Sequence, residues 1–273
     1  MSTNLPSYQI AIPTYERYQT ISQKTLQVLE NSTVPYSWIY LFVANQSQYE
    51  LYKQHIDSKW HSQLVIGQLG LKNQRNFITN YFQEGDWIVE MDDDLRSIKQ
   101  MIIDNQTKQL QPIHDLHQAI LHAFSICEKH NLRLWGVYPI HNAFFMTRKY
   151  SIDLRLLVGP MWGKINNQSL LLTIDEKEDT ERTILYYIED GGVIRLNYFT
   201  IDTTYYKTVG GMQAEQKDRK YEAYQSALDL ISRYPYLGSL SIKKKSKHPE
   251  CKLKDQTEKR PLKKRLFDNS TIF

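Results

Sequence analysis

At 273 residues, with 41% hydrophobic and 23% charged side chains, the chain has the composition of a soluble globular protein able to bury a real core. The polar N-terminus lacks the apolar stretch of a signal peptide, and no run reaches the ~18 apolar residues of a membrane span. Two cysteines, Cys127 and Cys251, make a disulfide framework unsuitable as an explanation of stability, so a reducing cytoplasm is expected. The net charge of +4 hides an asymmetry: residues 242–265 carry 11 Lys/Arg against 3 Asp/Glu, which leaves −4 for the rest. The pattern is that of an acidic body with a basic tail.

In chain order, residues 9–12 form a short apolar run ended by Pro13, expected as a buried strand feeding a loop. Apolar spacing predicts a helix over 20–29, a strand over 38–43, and a helix through Tyr49, Leu51 and Tyr52. A strand at 64–66, a helix over 71–82 after Gly70, and a strand at 87–89 complete four strand–helix units within about 95 residues. Such alternation predicts an α/β domain with a mostly parallel sheet and helices on both faces. Ligands of such sheets lie at the carboxyl ends of the strands, where Pro13, Thr14, Asn45, Gly67 and the acidic run 92–94 all fall.

The second half is less regular. Helices are expected over 115–130, 178–188 and 219–234, and β-like runs at 134–137, 144–146, 154–158 and 193–196. Residues 159–163, between two glycines, read as a flexible segment with Trp162 as a lid over the sugar, and residues beyond 242 lack the apolar spacing of a core.

Chemistry concentrates at Asp92, Asp93 and Asp94. Two like charges ~4 Å apart near a surface repel by about 4 kcal/mol at an effective dielectric of ~20. A bound Mg2+ or Mn2+ reverses that sign and can bridge a nucleotide diphosphate. An exposed acidic turn would carry the same residues, but the buried strand directly before them favours the metal. Arg17, after Pro13 and Thr14, is placed to meet a phosphate. Arg75, in the first turns of a helix, has the same option. Glu178 and Asp179 precede an apolar helix, either as capping carboxylates or with Asp179, or Glu178, as the base that deprotonates an acceptor hydroxyl. Lys207, following Tyr205 and Tyr206, can close over a diphosphate, though aromatic packing of a hairpin explains the stretch nearly as well.

The 12–15 opening, Arg75 with Asn76, the 92–94 cluster and the later Glu178 and Asp179 occur in an order that resembles GT-A glycosyltransferases, over roughly residues 8–220. The second half is similar to the TET-associated glycosyltransferases of phages, relatives of the base J glucosyltransferase. That likeness rests on residues 135–139 with Asn142, 178–182, 195–197, and 206–207 with 210–211. It implies a GT-A (Rossmann-like) domain over 1–240, with a nucleotide-binding half (1–95), an acceptor half (96–240) and a flexible basic tail (241–273). It further implies Mn2+ or Mg2+ on Asp94 and Asp92, and a UDP-sugar donor near Asn45, Arg75 and Asp93. Asp179 would be the base of an inverting transfer to a 5-hydroxymethylated pyrimidine in DNA. Trp135, Tyr138 and Trp162 would form the acceptor pocket, and His248 is the one late histidine placed to be a further metal ligand. No obligate protein partner is implied. Two other readings use the same residues: a glycan-building transferase, and a nucleic-acid-binding protein on a degenerate transferase scaffold.

Overall fold

The computed structural model describes residues 7–203, 219–242 and 249–254. Four parallel strands open the fold: β1 (Tyr8–Thr14), β2 (Ile39–Val43), β3 (Gln63–Ile66) and β4 (Trp87–Met91). Helices α1 (Thr25–Glu30), α2 (Gln46–His55) and α3 (Leu71–Tyr81) connect them. A hairpin follows, β5 (Leu95–Asp104) with β6 (Thr107–Pro112), then α4 (Leu116–His130), β7 (Leu134–Tyr138), the short β8 (Tyr150–Ser151) and β9 (Met161–Ile165). Helix α5 (Glu178–Asp190), β10 (Ile194–Thr203), α6 (Arg219–Arg233) and the pair β11 (Gly238–Ile242) and β12 (Pro249–Leu253) complete the described elements.

The main sheet has the order β3-β2-β1-β4-β9-β7-β10-β5-β6, with β8 added against β10. Strand β9 runs antiparallel to both β4 and β7, so β7 and the first part of β10 share the direction of β1–β4. Their carboxyl ends therefore lie along one edge. Alternation along β1 sends Ile10 and Ile12 to one face, where Phe124 of α4 and Leu26 of α1 pack, and Ala11 to the other, against Ile78 of α3. Helices thus cover both faces, as expected. Pro13 lies inside β1 instead of ending it, beyond the last residue paired with β4, where its missing N–H breaks no ladder on that side.

Four expectations change. The 20–29 helix is split into a 310 turn at Ile21–Gln23 and the six-residue α1. Residues 144–146 belong to a 310 turn and its cap, since Asn142 accepts the Phe144 N–H at 3.0 Å and closes the backbone into a turn. Residues 154–158 have no strand pairing. Residues 161–165 form the central strand β9. That last change removes the Trp162 lid, because Trp162 is paired opposite Glu90 and is almost fully buried. Gly163 belongs to the same strand for a packing reason. A Cβ there would meet the Trp135 indole at 2.3 Å, so only glycine lets that ring lie across the sheet.

The chain also does not leave the fold at 241. Strand β12 pairs with β11, and Cys251 is buried against Ala227 and Leu230 of α6. Alternation in 249–253 is too short to announce a strand, and its partner makes it one. Residues 243–248 and 255–273, which hold most of the basic tail and His248, lie outside the described residues.

Candidate active site

The acidic run leaves the end of β4 at the carboxyl edge, beside the end of β1 and the start of β9. Its geometry is set from both sides. The Asp92 N–H donates to the Pro160 carbonyl at 2.9 Å, and Thr25 of α1 donates its hydroxyl to the Asp92 carbonyl at 2.6 Å while accepting the Leu95 N–H. The turn is fixed before any ligand arrives.

The three carboxylates have different tasks. Asp93 is buried and points back at the β1 loop, accepting from the Thr14 hydroxyl at 2.6 Å and from Arg17 Nη1. Thr14 also meets the Tyr52 hydroxyl at 2.5 Å, and that hydroxyl accepts the Arg17 N–H at 3.0 Å. Burial raises the Asp93 pKa while Arg17 and Thr14 oppose the shift. Asp93 and Thr14 thus hold the loop's shape, with Arg17 kept at the rim.

Asp94 is held by Arg17 (3.0 Å, Oδ2) and by the Thr203 hydroxyl at the end of β10 (3.1 Å, Oδ1). Asp92 is the most open of the three, its side chain 34% exposed, with Oδ1 on Arg75 Nη2 at 2.8 Å. No hydrogen bond from a described residue reaches its Oδ2. Its recess, with Asp94, Asp93 and Glu178 nearby, pushes its pKa up to about 7 despite Arg75.

Beneath the edge lies a buried ionic cluster that composition alone would never announce. Glu90 is fully buried in β4, between Arg75 Nη1 of α3 at 2.9 Å and Lys164 Nζ of β9 at 3.1 Å. The register of β4 against β9 creates this arrangement, because Glu90 stands opposite Trp162 and Ile88 opposite Lys164 on the same face. Lys164 also donates to Thr79 at 2.6 Å. The Trp162 ring carries the Arg182 guanidinium 3.7 Å from its centroid, and Arg182 Nη1 pairs with Glu178 at 2.5 Å. Burial works against the Arg75 charge, but Glu90, Glu178 and Asp92 outweigh it and raise its pKa. Burial lowers Lys164 and raises Glu178. Arg75 is the hinge of this cluster, with one nitrogen on the interior and one on the rim.

Glu178 and Asp179 begin α5 and diverge at once. Glu178 is buried and locked to Arg182, whereas Asp179 is half-buried, with Oδ1 accepting the Thr180 N–H at 2.8 Å. The start of α5 is tied to α3: Asp175 accepts the Lys72 N–H at 2.9 Å, and Asn76 exchanges two hydrogen bonds with the Leu172 backbone.

Several expected site residues fall elsewhere. Trp135 is buried against Phe124 and cannot touch an acceptor, because β7 is a central strand. Trp162 serves as the floor for Arg182. Tyr138, at the end of β7, does reach the edge, half-buried with Arg195 over its ring at 5.2 Å. Asn45 is exposed and caps α2, accepting the Gln48 N–H at 3.0 Å. Lys207, with Tyr205, Tyr206, Gly210 and Gly211, lies outside the described residues. The sequence does not announce Glu90, Lys164, Arg182 and Tyr52 as site residues; a lone Glu within the apolar run 87–91 is the one available signal. Among the described residues no group of three or more His, Cys, Asp or Glu could alone hold a metal ion, and no helix is long and apolar enough to cross a membrane.

No family model matches the sequence, and no curated protein does. Solved structures match the fold. S. aureus TarS (residues 1–349) in complex with UDP-GlcNAc aligns with a TM-score of 0.52 over 82% of this chain and 66% of that one, at 12% identity. A second TarS structure aligns with a TM-score of 0.51 over 82% of this chain and 40% of that one, also at 12% identity. The mannosyltransferase PcManGT of Pyrobaculum calidifontis, in complex with GDP-Man and Mn2+, reaches a TM-score of 0.48 over 85% of this chain and 64% of that one, at 12% identity. The chain therefore spans less than two thirds of the length of these proteins. At such identities the likeness establishes architecture: this chain has the GT-A fold that it shares with TarS.

Proposed function

We propose that the protein is a metal-dependent glycosyltransferase that moves a sugar from a nucleotide donor, a UDP-sugar, to a hydroxyl acceptor. The observation that carries this reading is the rim carboxylate pair, Asp92 and Asp94, at the carboxyl edge of a TarS-like sheet, flanked by Arg17 and Arg75. TarS itself has been solved with UDP-GlcNAc.

The residues present suit a divalent ion. Mg2+-type sites use one or two carboxylates and complete their shell with substrate phosphates and water, so the lack of a three-residue cage is no obstacle. Asp92 Oδ2 is uncommitted, and each Asp94 oxygen keeps a lone pair beyond its present partner. The Asp92 pKa is raised first by its recess from water and then by Asp94, Asp93 and Glu178, and a cation would favour the charged form against both. When bound, the ion would neutralise the diphosphate and stabilise it as a leaving group. The protein's own residues do the rest. Arg17 faces the same anion from the β1 loop, and Arg75 fixes the Asp92 carboxylate. Asp93 holds the turn.

Asp179 is the base in this reading, with Glu178 as its buried neighbour. The acceptor oxygen forms a bond to the sugar's anomeric carbon while the bond from that carbon to the diphosphate breaks. Its electron pair leaves with the diphosphate, and the acceptor proton passes to Asp179. Attack opposite the leaving group inverts the anomeric configuration. Asp179 suits the task better than Glu178 because it is only half-buried, whereas Glu178 is buried and ion-paired to Arg182.

For the acceptor we propose a 5-hydroxymethylated pyrimidine in DNA. The support is the sequence likeness to DNA-modifying transferases and the basic residues 243–265. The test is a mass-spectrometric screen of UDP-sugars with Mn2+ against DNA carrying 5-hydroxymethylcytosine or 5-hydroxymethyluracil. A hexose or N-acetylhexosamine mass on the modified strand is the expected result. Transfer to oligosaccharides and never to modified DNA would replace this acceptor with a glycan.

A further inference from the structure

The segment between β7 and β8 displays two phenylalanines that the fold does not use. Phe144 is 75% exposed and Phe145 54%, their rings edge-to-face at 5.1 Å. They are held there by construction. Ala143 and Met146, on either side, are buried against Met101 of β5, with Leu110 and Tyr138 packed around them. Asn142 caps the turn, and Lys108 of β6 donates to the carbonyls of Phe144 (3.2 Å) and Met146 (2.8 Å). Ile103, across the hairpin from Lys108, and Ile140 are also exposed. A rigid backbone that presents two adjacent rings to water marks a surface made to be covered.

Charge identifies what covers it. The β5–β6 hairpin (95–112) and the 138–151 segment together carry five Lys/Arg (Arg96, Lys99, Lys108, Arg148, Lys149) against one acid, Asp104. The chain outside the basic tail is net acidic, so this surface is a local exception. Exposed aromatic rings on segments rich in cations, with Lys108 anchored at the turn itself, fit a strand with planar bases and an anionic backbone. Position gives the second constraint. Tyr138 lies at the same edge as Asp92, and the turn begins after it. Met101, on which the turn packs, is seven residues along β5 from Asp94, roughly 20 Å at ~3.3 Å per residue. Such a platform is too far away to touch the reacting unit and well placed for a neighbouring unit of a polymer.

We propose that Phe144 and Phe145 form a base-stacking platform that holds an unpaired stretch of the nucleic-acid acceptor, a few nucleotides from the one being modified. The proposal rests on the nucleic-acid reading of the acceptor. Stacking on two rings grips any base, so the platform adds affinity and orientation without reading sequence.

The experiment compares the full-length chain with its Phe144→Ala/Phe145→Ala variant by fluorescence anisotropy. The probes are a labelled 20-nucleotide thymidylate strand and an abasic strand of equal length. The abasic strand retains every phosphate, so any binding by the basic tail is common to both probes. The wild type should prefer the thymidylate strand by about tenfold or more, and the variant should lose most of that preference while its affinity for the abasic strand stays put. Equal affinities for the two strands in the wild type, or an undiminished preference in the variant, would overturn the platform. Rings that matter for binding a neutral oligosaccharide and not for thymidylate would overturn it as well. Calorimetry of UDP with Mn2+ tests the transferase reading separately: a wild-type chain that binds no UDP sinks that reading, while base discrimination still decides the platform. Unfolding of the variant is checked by circular dichroism, with Phe144→Leu/Phe145→Leu as the substitute that keeps apolar bulk without a ring face.

Discussion

The two halves of the sheet use their strands differently. From β1 to β4 the chain builds parallel strands whose polar residues collect at one edge, held by close partners such as Thr14, Arg17 and Asp93. From β5 onward the strands are mixed in direction, β10 shifts register by three residues between Leu196 and Thr200, and an edge hairpin projects from the body. The first half gathers its fixed charges at one edge, whereas the second lends Lys164, Glu178 and Arg182 to the buried cluster and also displays aromatic and basic groups outward. The proposed transfer would use the two differently: a diphosphate must meet pre-placed charges at angstrom precision, and a large acceptor would tolerate a looser display.

Several measurements would break or sharpen this contrast. The largest effect is expected at the junction of the halves. Asp179→Asn should lower turnover by about 10²–10⁴-fold with UDP affinity retained, since a positioned base contributes on that order. Steady-state transfer assays read it, and wild-type turnover would shift the role to Glu178. The first half should be costly to disturb in its interior. Glu90→Gln leaves Arg75 and Lys164 facing each other without their shared anion, and losing one partner of a buried ion pair costs about 3–5 kcal/mol. Urea denaturation of this variant should show that loss, and a change below about 1 kcal/mol would mean that the cluster is dispensable.

A third test uses protons. Asp92 has its pKa raised to about 7, so in the free protein it becomes neutral as pH falls through that value. A cation needs the carboxylate, so Mn2+-dependent UDP affinity should be full above pH ~8 and drop up to about tenfold per unit below ~6. Titration calorimetry across that range checks the sign, and affinity that is flat with pH would remove Asp92 from the metal's shell. The smallest effect is expected at Asn45. Its side chain caps α2, so Asn45→Ala should cost roughly 0.5–2 kcal/mol of stability. UDP affinity then shows whether Asn45 does more than cap.

Legibility from sequence divides along the same line. In the first half the apolar runs, the Gly70 break and the acidic turn are local signals, so β1–β4, α3 and the place of Asp92–Asp94 can all be read within a residue or two. The second half depends on contacts distant in sequence. The β5–β6 hairpin turns on Asn105 and Gln106, both at positive φ, without the glycine that usually announces such a turn. Trp162 looks like a lid beside two glycines, and only the pairing of β9 between β4 and β7 shows it to be a floor. Phe144 and Phe145 look like a strand core, because exposure depends on which neighbours already fill the interior. The ionic cluster escapes for the same reason: Glu90, Lys164 and Arg182 are 74 and 18 residues apart in sequence and become neighbours only through strand register and the packing of α5.

In the proposed reading, the edge formed by Asp92 and Asp94 binds a nucleotide diphosphate through a divalent ion. Isothermal titration of the full chain with UDP, with Mn2+ and then with EDTA, tests it most directly. The expected result is binding that needs Mn2+ and is lost in Asp92→Asn while the variant stays folded. Binding of UDP that is equally tight with EDTA, or unaffected by Asp92→Asn, would contradict it.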